Sequence, residues 1–175
     1  MSFKVFVSYS SKDEKSINPF LETLKSISGL EHYFFKETKK IAQDTRDDIL
    51  ANIRDSNAFL VFHSANSSRS SYVQNEIGAA MGLDKQVILC GLDKTELEGM
   101  LKGVNYLNFY NPDVCRIELN KLVGWIQEKI ALQQTRASLK TASTNEKSFD
   151  WINFLLLVGI IAGSLYLISR LMKAR

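Results

Sequence analysis

Cysteine and histidine are scarce: Cys90, Cys115, His32 and His63 are the only ones in 175 residues. They fit no CxxC or other metal-ligand spacing, so no metal site is expected. The two cysteines read as small apolar core residues of a reducing compartment. A dominant charge is lacking too, with 22 basic side chains against 19 acidic and a net charge of +3. Nucleic-acid binding asks for a clustered basic face, so no nucleic-acid partner is expected. Neither a P-loop nor a GxGxxG run occurs, which excludes the ordinary nucleotide sites. The chain opens Met-Ser-Phe-Lys and enters a strand pattern at once, so no cleavable signal peptide is expected.

What the chain does have is one long apolar run. Trp151 to Ser169, WINFLLLVGIIAGSLYLIS, contains no charged residue and is bracketed by Asp150 and Arg170. As a helix it is about 28 Å long at roughly 1.5 Å per residue, a match to a bilayer core of about 30 Å. A buried core helix would carry a polar stripe, and this run has none. Residues 151–169 are therefore expected to form a transmembrane helix, with Trp151 and Tyr166 near its ends and a basic tail over 170–175. Gly159 and Gly163 have the GxxxG spacing that lets helices approach closely in lipid, a spacing that also arises by chance. Basic residues flank the run on both sides, so charge alone leaves its orientation open. The absent signal peptide and disulfide pattern put the large domain in the cytoplasm, on a single-pass tail anchor. The polar, Ser/Thr-rich stretch before the run reads as a linker over 133–150.

Residues 1–132 read as one α/β domain. Short apolar segments are expected as strands at Lys4–Ser8, His32–Phe35, Ala58–Phe62, Gln86–Cys90 and Tyr106–Phe109. Helical stripes lie between them. Ile17, Phe20, Leu21, Leu24 and Ile27 share one face, with Gly29 as the stop. Asp44 or Thr45 caps a second helix bearing Ile49 and Ile53. A third helix follows the Ser-rich loop Ser64–Ser71, a short fourth is expected around Glu96–Leu101, and a fifth carries Leu119, Leu122, Val123, Ile126 and Ile130. Crossovers of this length force parallel pairing, and a parallel sheet needs helices on both faces. The expected fold is flavodoxin-like, with five parallel strands in the order 2-1-3-4-5. Its ligand crevice would lie between strands one and three, bounded by the Ser8–Lys12 and Ser64–Ser71 loops.

Three segments, in order and at the right spacing, resemble the Toll/interleukin-receptor (TIR) domain. They are KVFVSYSSKDE, RDDILANIRDSNAFLVFHS and SSYVQNEIGAA, and the resemblance spans roughly residues 3 to 130. It implies a domain of the NAD-cleaving prokaryotic type, with NAD+ as substrate and no cofactor. It makes Glu76 the catalytic residue, with Tyr72 where tryptophan usually stands. The resemblance also brings Tyr9, Ser10, Ser64 and Tyr72 to the substrate. Independently of the family, Tyr72 and Glu76 are i and i+4 on one helical face. The apolar side of that helix, Val73, Ile77 and Ala80, is about a quarter turn away, which puts Glu76 at the rim of the core. An ordinary exposed helix glutamate is the competing reading. The sequence departs from the family in the loop IAQDTRDD, which lacks the usual glycine and aromatic residue, and at Lys36, where many members carry an acid.

Two functions stay open. One is a membrane-anchored NAD+ glycohydrolase releasing nicotinamide and a linear or cyclic ADP-ribose, in antiphage defence or signalling. The other is a non-enzymatic interaction module at a membrane. Either implies membrane lipid and further copies of the chain as partners. A receiver or flavin protein is disfavoured, because no acidic cluster follows the first strand.

Overall fold

The computed structural model describes residues 2–34 and 42–144, without the side chains of 34, 42–45 and 140–144. Residues Ser2–Ile130 form one compact unit, and Ala131 onward belongs to a second. Five strands, β1 (Phe3–Ser8), β2 (Leu30–Phe34), β3 (Ala58–His63), β4 (Gln86–Gly91) and β5 (Tyr106–Asn108), alternate with helices. The helices are α1 (Glu14–Lys25), α2 (Ala42–Asp55), α3 (Ala65–Ser68), α4 (Ser71–Gly82) and α5 (Pro112–Thr144). All strand pairs are parallel, in the order β2-β1-β3-β4-β5. This is the architecture expected from the alternation of apolar segments and helical stripes.

The sheet divides the core in two. On one face Val5, Val7, Leu60 and Phe62 meet Ile17, Leu21 and Leu24 of α1 and Leu122 and Ile126 of α5. On the other, Phe6, Phe59 and Val61 meet Ile53 of α2 and Val73, Ile77 and Ala80 of α4. All six residues of β3 are buried, as a central strand covered on both faces requires. Phe6 and Phe59, on adjacent strands, stack with centroids 5.5 Å apart and planes 7° apart. Gly29 supplies the positive φ of 81° that turns the chain from α1 into β2, a conformation glycine adopts freely. Cys90 is buried in this core, where loss of hydration pushes its thiol above the usual range.

Four local expectations are corrected. The helix expected around Glu96–Leu101 is only a 3-10 turn at Gly99–Leu101. Gly99 and Gly103 both take positive φ there, and so short a segment does not recover the cost of nucleating an α-helix. The Ser-rich segment is not wholly loop, because Ser64 caps the single turn of α3. The polar stretch after Gln133 continues α5 as far as Thr144. Polarity alone does not stop a helix, and no glycine or proline lies between Gly124 and Thr144. Asp44 and Thr45 fall inside α2, which begins at Ala42. Lys36, residues 145–150 of the expected linker, the apolar run 151–169 and the tail 170–175 lie outside the described residues. Among the described residues, no helix is long and apolar enough to cross a membrane.

Candidate functional site

The strand order reverses at β1, so the C-terminal ends of β1 and β3 diverge into different crossovers and leave a crevice. Among the described residues, buried polar side chains gather there, Ser8, Ser10, Asp13, Ser64 and Glu76 among them. Ser8 ends β1, and Ser10 caps the 3-10 turn Ser11–Asp13 that follows, accepting from the Lys12 N–H. Asp13 ends that turn. Across the crevice, Ser64 follows β3 and caps α3, and Glu76 reaches in from α4.

Glu76 is only 6% exposed, within the core rather than at its rim as expected. The physical reason is a partner on β1. The Ser8 hydroxyl donates to Glu76 Oε2 at 2.5 Å, the short geometry of a hydroxyl bonded to a carboxylate. A carboxylate without such a bond would be expelled to the surface or neutralised. One helical turn earlier, Tyr72 is 52% exposed. It stands at the edge of a cleft of about 270 Å³. Ser10, Ser11 and Lys12 form one wall of that cleft, and Asn66, Arg69, Ser70 and Ser71 lie opposite. Its charged side chains are the cations Lys12 and Arg69, beside four serine hydroxyls and the Tyr72 phenol. Ser70 caps α4 and accepts from the Val73 N–H, and the first turn of α4 carries no acid. Such a cleft suits an anion with several acceptor oxygens.

The five residues named from the sequence are thus distributed unevenly. Ser10 and Tyr72 line the cleft. Glu76 is a turn deeper, behind Tyr72, and is not among the lining residues. Tyr9 packs against the hydrophobic cluster on the α1 face of the sheet. The Ser64 hydroxyl is spent internally: it accepts from the Asn66 and Ser67 N–H groups and donates to Asp13 Oδ2 at 2.5 Å. Ser8, Lys12, Asn66 and Arg69 lie in the two loops expected to bound the crevice, but no individual role for any of them was legible in the sequence. Asp13 is also the N-cap residue of α1, but its side chain makes no cap hydrogen bond there.

A larger cavity, about 360 Å³, lies between β4, β5 and α5. Its lining is dominated by Val87, Ile88, Leu89, Leu107, Leu122 and Trp125, and it brings no carboxylate to bear. The smaller cleft is the one lined by residues named from the sequence, Ser10 and Tyr72. Beside it, Asp93 accepts from the Ala65 and Thr95 N–H groups at 2.9 Å each. Burial pushes the Asp93 carboxyl up, but hydrogen bonds from the Thr95 side chain and from these two N–H groups, with His63 nearby, outweigh it and hold its pKa below the ordinary value. Among the described residues, no three His, Cys, Asp or Glu side chains gather as a metal site.

Residues 5–123 match the TIR domain family. The chain belongs to that family. Among solved structures, the TIR domain of the Toll-related receptor TRR-2 from Hydra magnipapillata superposes with a TM-score of 0.60 at 19% identity, covering 70% of this chain and 97% of that one. A prokaryotic SEFIR domain gives 0.50 at 16% identity, covering 71% and 99%. The CMP N-glycosidase BcmB of Clostridium botulinum gives 0.47 at 20% identity, covering 68% and 97%. At these identities the likeness is one of fold. No curated protein matches the chain. For a TIR domain, the crevice at the ends of β1 and β3 is thus built from a buried Ser8–Glu76 pair and a cationic, hydroxyl-rich cleft above it.

Proposed function

We propose that this TIR domain is an NAD+ glycohydrolase tethered to a membrane, releasing nicotinamide and a linear or cyclic ADP-ribose, in defence or signalling. The observation that carries the reading is the buried Glu76, held by Ser8 one turn behind the cationic cleft. In the reaction the bond between C1′ of the ribose and the nicotinamide nitrogen breaks, and its electron pair leaves with the neutral nicotinamide. Positive charge develops on the ribose until water, or a second nucleophile within the molecule, adds at C1′. A fixed carboxylate stabilises that charge without reorganising. The Ser8 hydroxyl supports this by locking the carboxylate's orientation. Lys12, Arg69 and the hydroxyls of Ser10, Ser11, Ser70 and Ser71 give the substrate's diphosphate a handle remote from the scissile bond. Tyr72 offers a face on which an aromatic ring can stack.

The test compares nicotinamide release by the parent and Glu76→Gln. The amide keeps the shape and can still accept from Ser8, so melting should be preserved. Turnover should fall on the order of 10²-fold or more, the cost of removing one preorganised electrostatic contact. Tyr72→Ala should lose less. Equal turnover by Glu76→Gln defeats the assignment. The interaction-module reading is favoured by one observation: Glu76 is absent from the cleft lining. That reading takes over if the parent releases no nicotinamide even when crowded on vesicles.

A further inference from the structure

We propose that Asp13 is a positioning residue that clamps the two walls of the cleft at the separation an anionic diphosphate requires. The proposal rests on the assignment of that cleft to the substrate's diphosphate. Asp13 is 7% exposed, yet its side-chain partners are a hydroxyl and an amide rather than a cation. Its Oδ2 accepts from the Ser64 hydroxyl at 2.5 Å, and its Oδ1 from Asn66 Nδ2 at 2.6 Å. Both donors lie across the crevice, 51 and 53 residues away in sequence. The carboxylate therefore bolts the turn carrying Ser10, Ser11 and Lys12 to the turn carrying Asn66 and Arg69.

The bolt is continued on its far side. A serine hydroxyl has one hydrogen and two lone pairs. In Ser64 the hydrogen goes to Asp13 and the lone pairs to the Asn66 and Ser67 N–H groups, so the hydroxyl is saturated. Asp13 thus dictates which way Ser64 caps α3. Gln74 Nε2 of α4 then donates to Ser67 O at 3.2 Å, tying α3 to the helix that carries Tyr72 and Glu76. Asparagine at position 13 would lose one acceptor and face a cross-wall donor with an N–H of its own. Coulomb's law alone predicts a different result. Removing a negative charge beside an anion site should tighten anion binding. The two accounts of Asp13 therefore differ in sign.

The experiment measures calorimetric binding of ADP, which has the diphosphate but no nicotinamide bond, alongside NAD+ kinetics. Asp13→Asn and Ser64→Ala should each weaken ADP about tenfold, the factor carried by one lost hydrogen bond to a charged group. Both should raise KM for NAD+ by a similar factor and change kcat much less. Ser64→Thr, which restores a hydroxyl, should bind ADP close to the parent. The double variant should be little worse than either single one, because both break the same link. Tighter ADP binding by Asp13→Asn overturns the proposal. So does a lower melting temperature with unchanged ADP affinity in the folded protein, which is what a merely structural role predicts. If Asp13→Asn does not fold, the Ser64→Ala and Ser64→Thr pair decides by the same criterion. A parent that binds ADP but cleaves no NAD+ refutes the glycohydrolase while the ADP comparison still tests the clamp. A parent that binds no ADP overturns the clamp itself.

Discussion

His32 sits half-buried on β2. Loss of hydration first, and the charge of Lys25 second, hold its pKa below the ordinary 6.5. The folded form therefore binds a proton less readily than the unfolded chain. Its contribution to stability is fully present above the unfolded value. It is lost as pH falls from 6.5 toward the lower folded value, because protonation then favours unfolding. The melting temperature should drop as pH falls below 6.5. His32→Gln should flatten the part of that drop that belongs to this side chain. Parallel melting curves for parent and variant across the range would sink the explanation. The Ser8–Glu76 pair shows what a buried polar group needs from its surroundings. Its carboxylate is kept inside by a hydrogen bond supplied from another strand. Spacing within helix α4 could place Glu76 beside Tyr72, but no spacing could announce Ser8 as its partner, 68 residues away.

Helix α1 carries an internal contradiction. Its buried residues Ile17, Leu21 and Leu24 follow the 3.6-residue period, yet Pro19 lies within it at an exposed position. Proline has no N–H for the carbonyl four residues earlier, and its ring crowds that carbonyl. Packing of the apolar stripe against β1 and β3 outweighs this, so the helix persists. Replacing Pro19 with alanine should stabilise the domain by about 1–3 kcal/mol, with a small offset from the freer unfolded chain. Urea unfolding measures it. An unchanged or lowered midpoint would mean that α1 has already bent to accommodate the ring. The expected fourth helix shows the opposite balance. Around Glu96–Leu101 the apolar spacing is too short to organise a stripe, and the left-handed glycines win.

For the whole molecule, the compact unit Ser2–Ile130 holds the sheet and both core faces. The charge-free run Trp151–Ser169 lies beyond it in sequence. The proposal of membrane attachment rests on the run's length and lack of a polar stripe, not on any described helix. The full chain should stay with the membrane fraction through an alkaline wash, whereas a chain ending at Gln133 should be released. A full-length chain that washes off would end the anchoring proposal. Confinement in two dimensions raises the effective concentration of TIR domains, which commonly associate with one another. Nicotinamide release per molecule should then climb with surface density if neighbouring copies complete the site, and stay flat if each copy is sufficient.

Periodicity by itself determined the sheet. Apolar runs such as AFLVF, separated by stripes of helical spacing, permit only parallel pairing with helices on both faces, because short-range sterics and burial act locally along the chain. The three family segments determined where to look for chemistry, since they fall at the crossovers that open the crevice. Tertiary structure alone decided what the crevice contains. Glu76 became a buried group because Ser8 is there to receive it, and Ser64 became part of a clamp because Asp13 takes its hydrogen. These are contacts between turns 51 to 68 residues apart, made by small polar side chains that leave no periodic trace. A hydrogen bond depends on where its partner's lone pair lies in space, and the order of residues along a chain does not carry that information until the chain has folded.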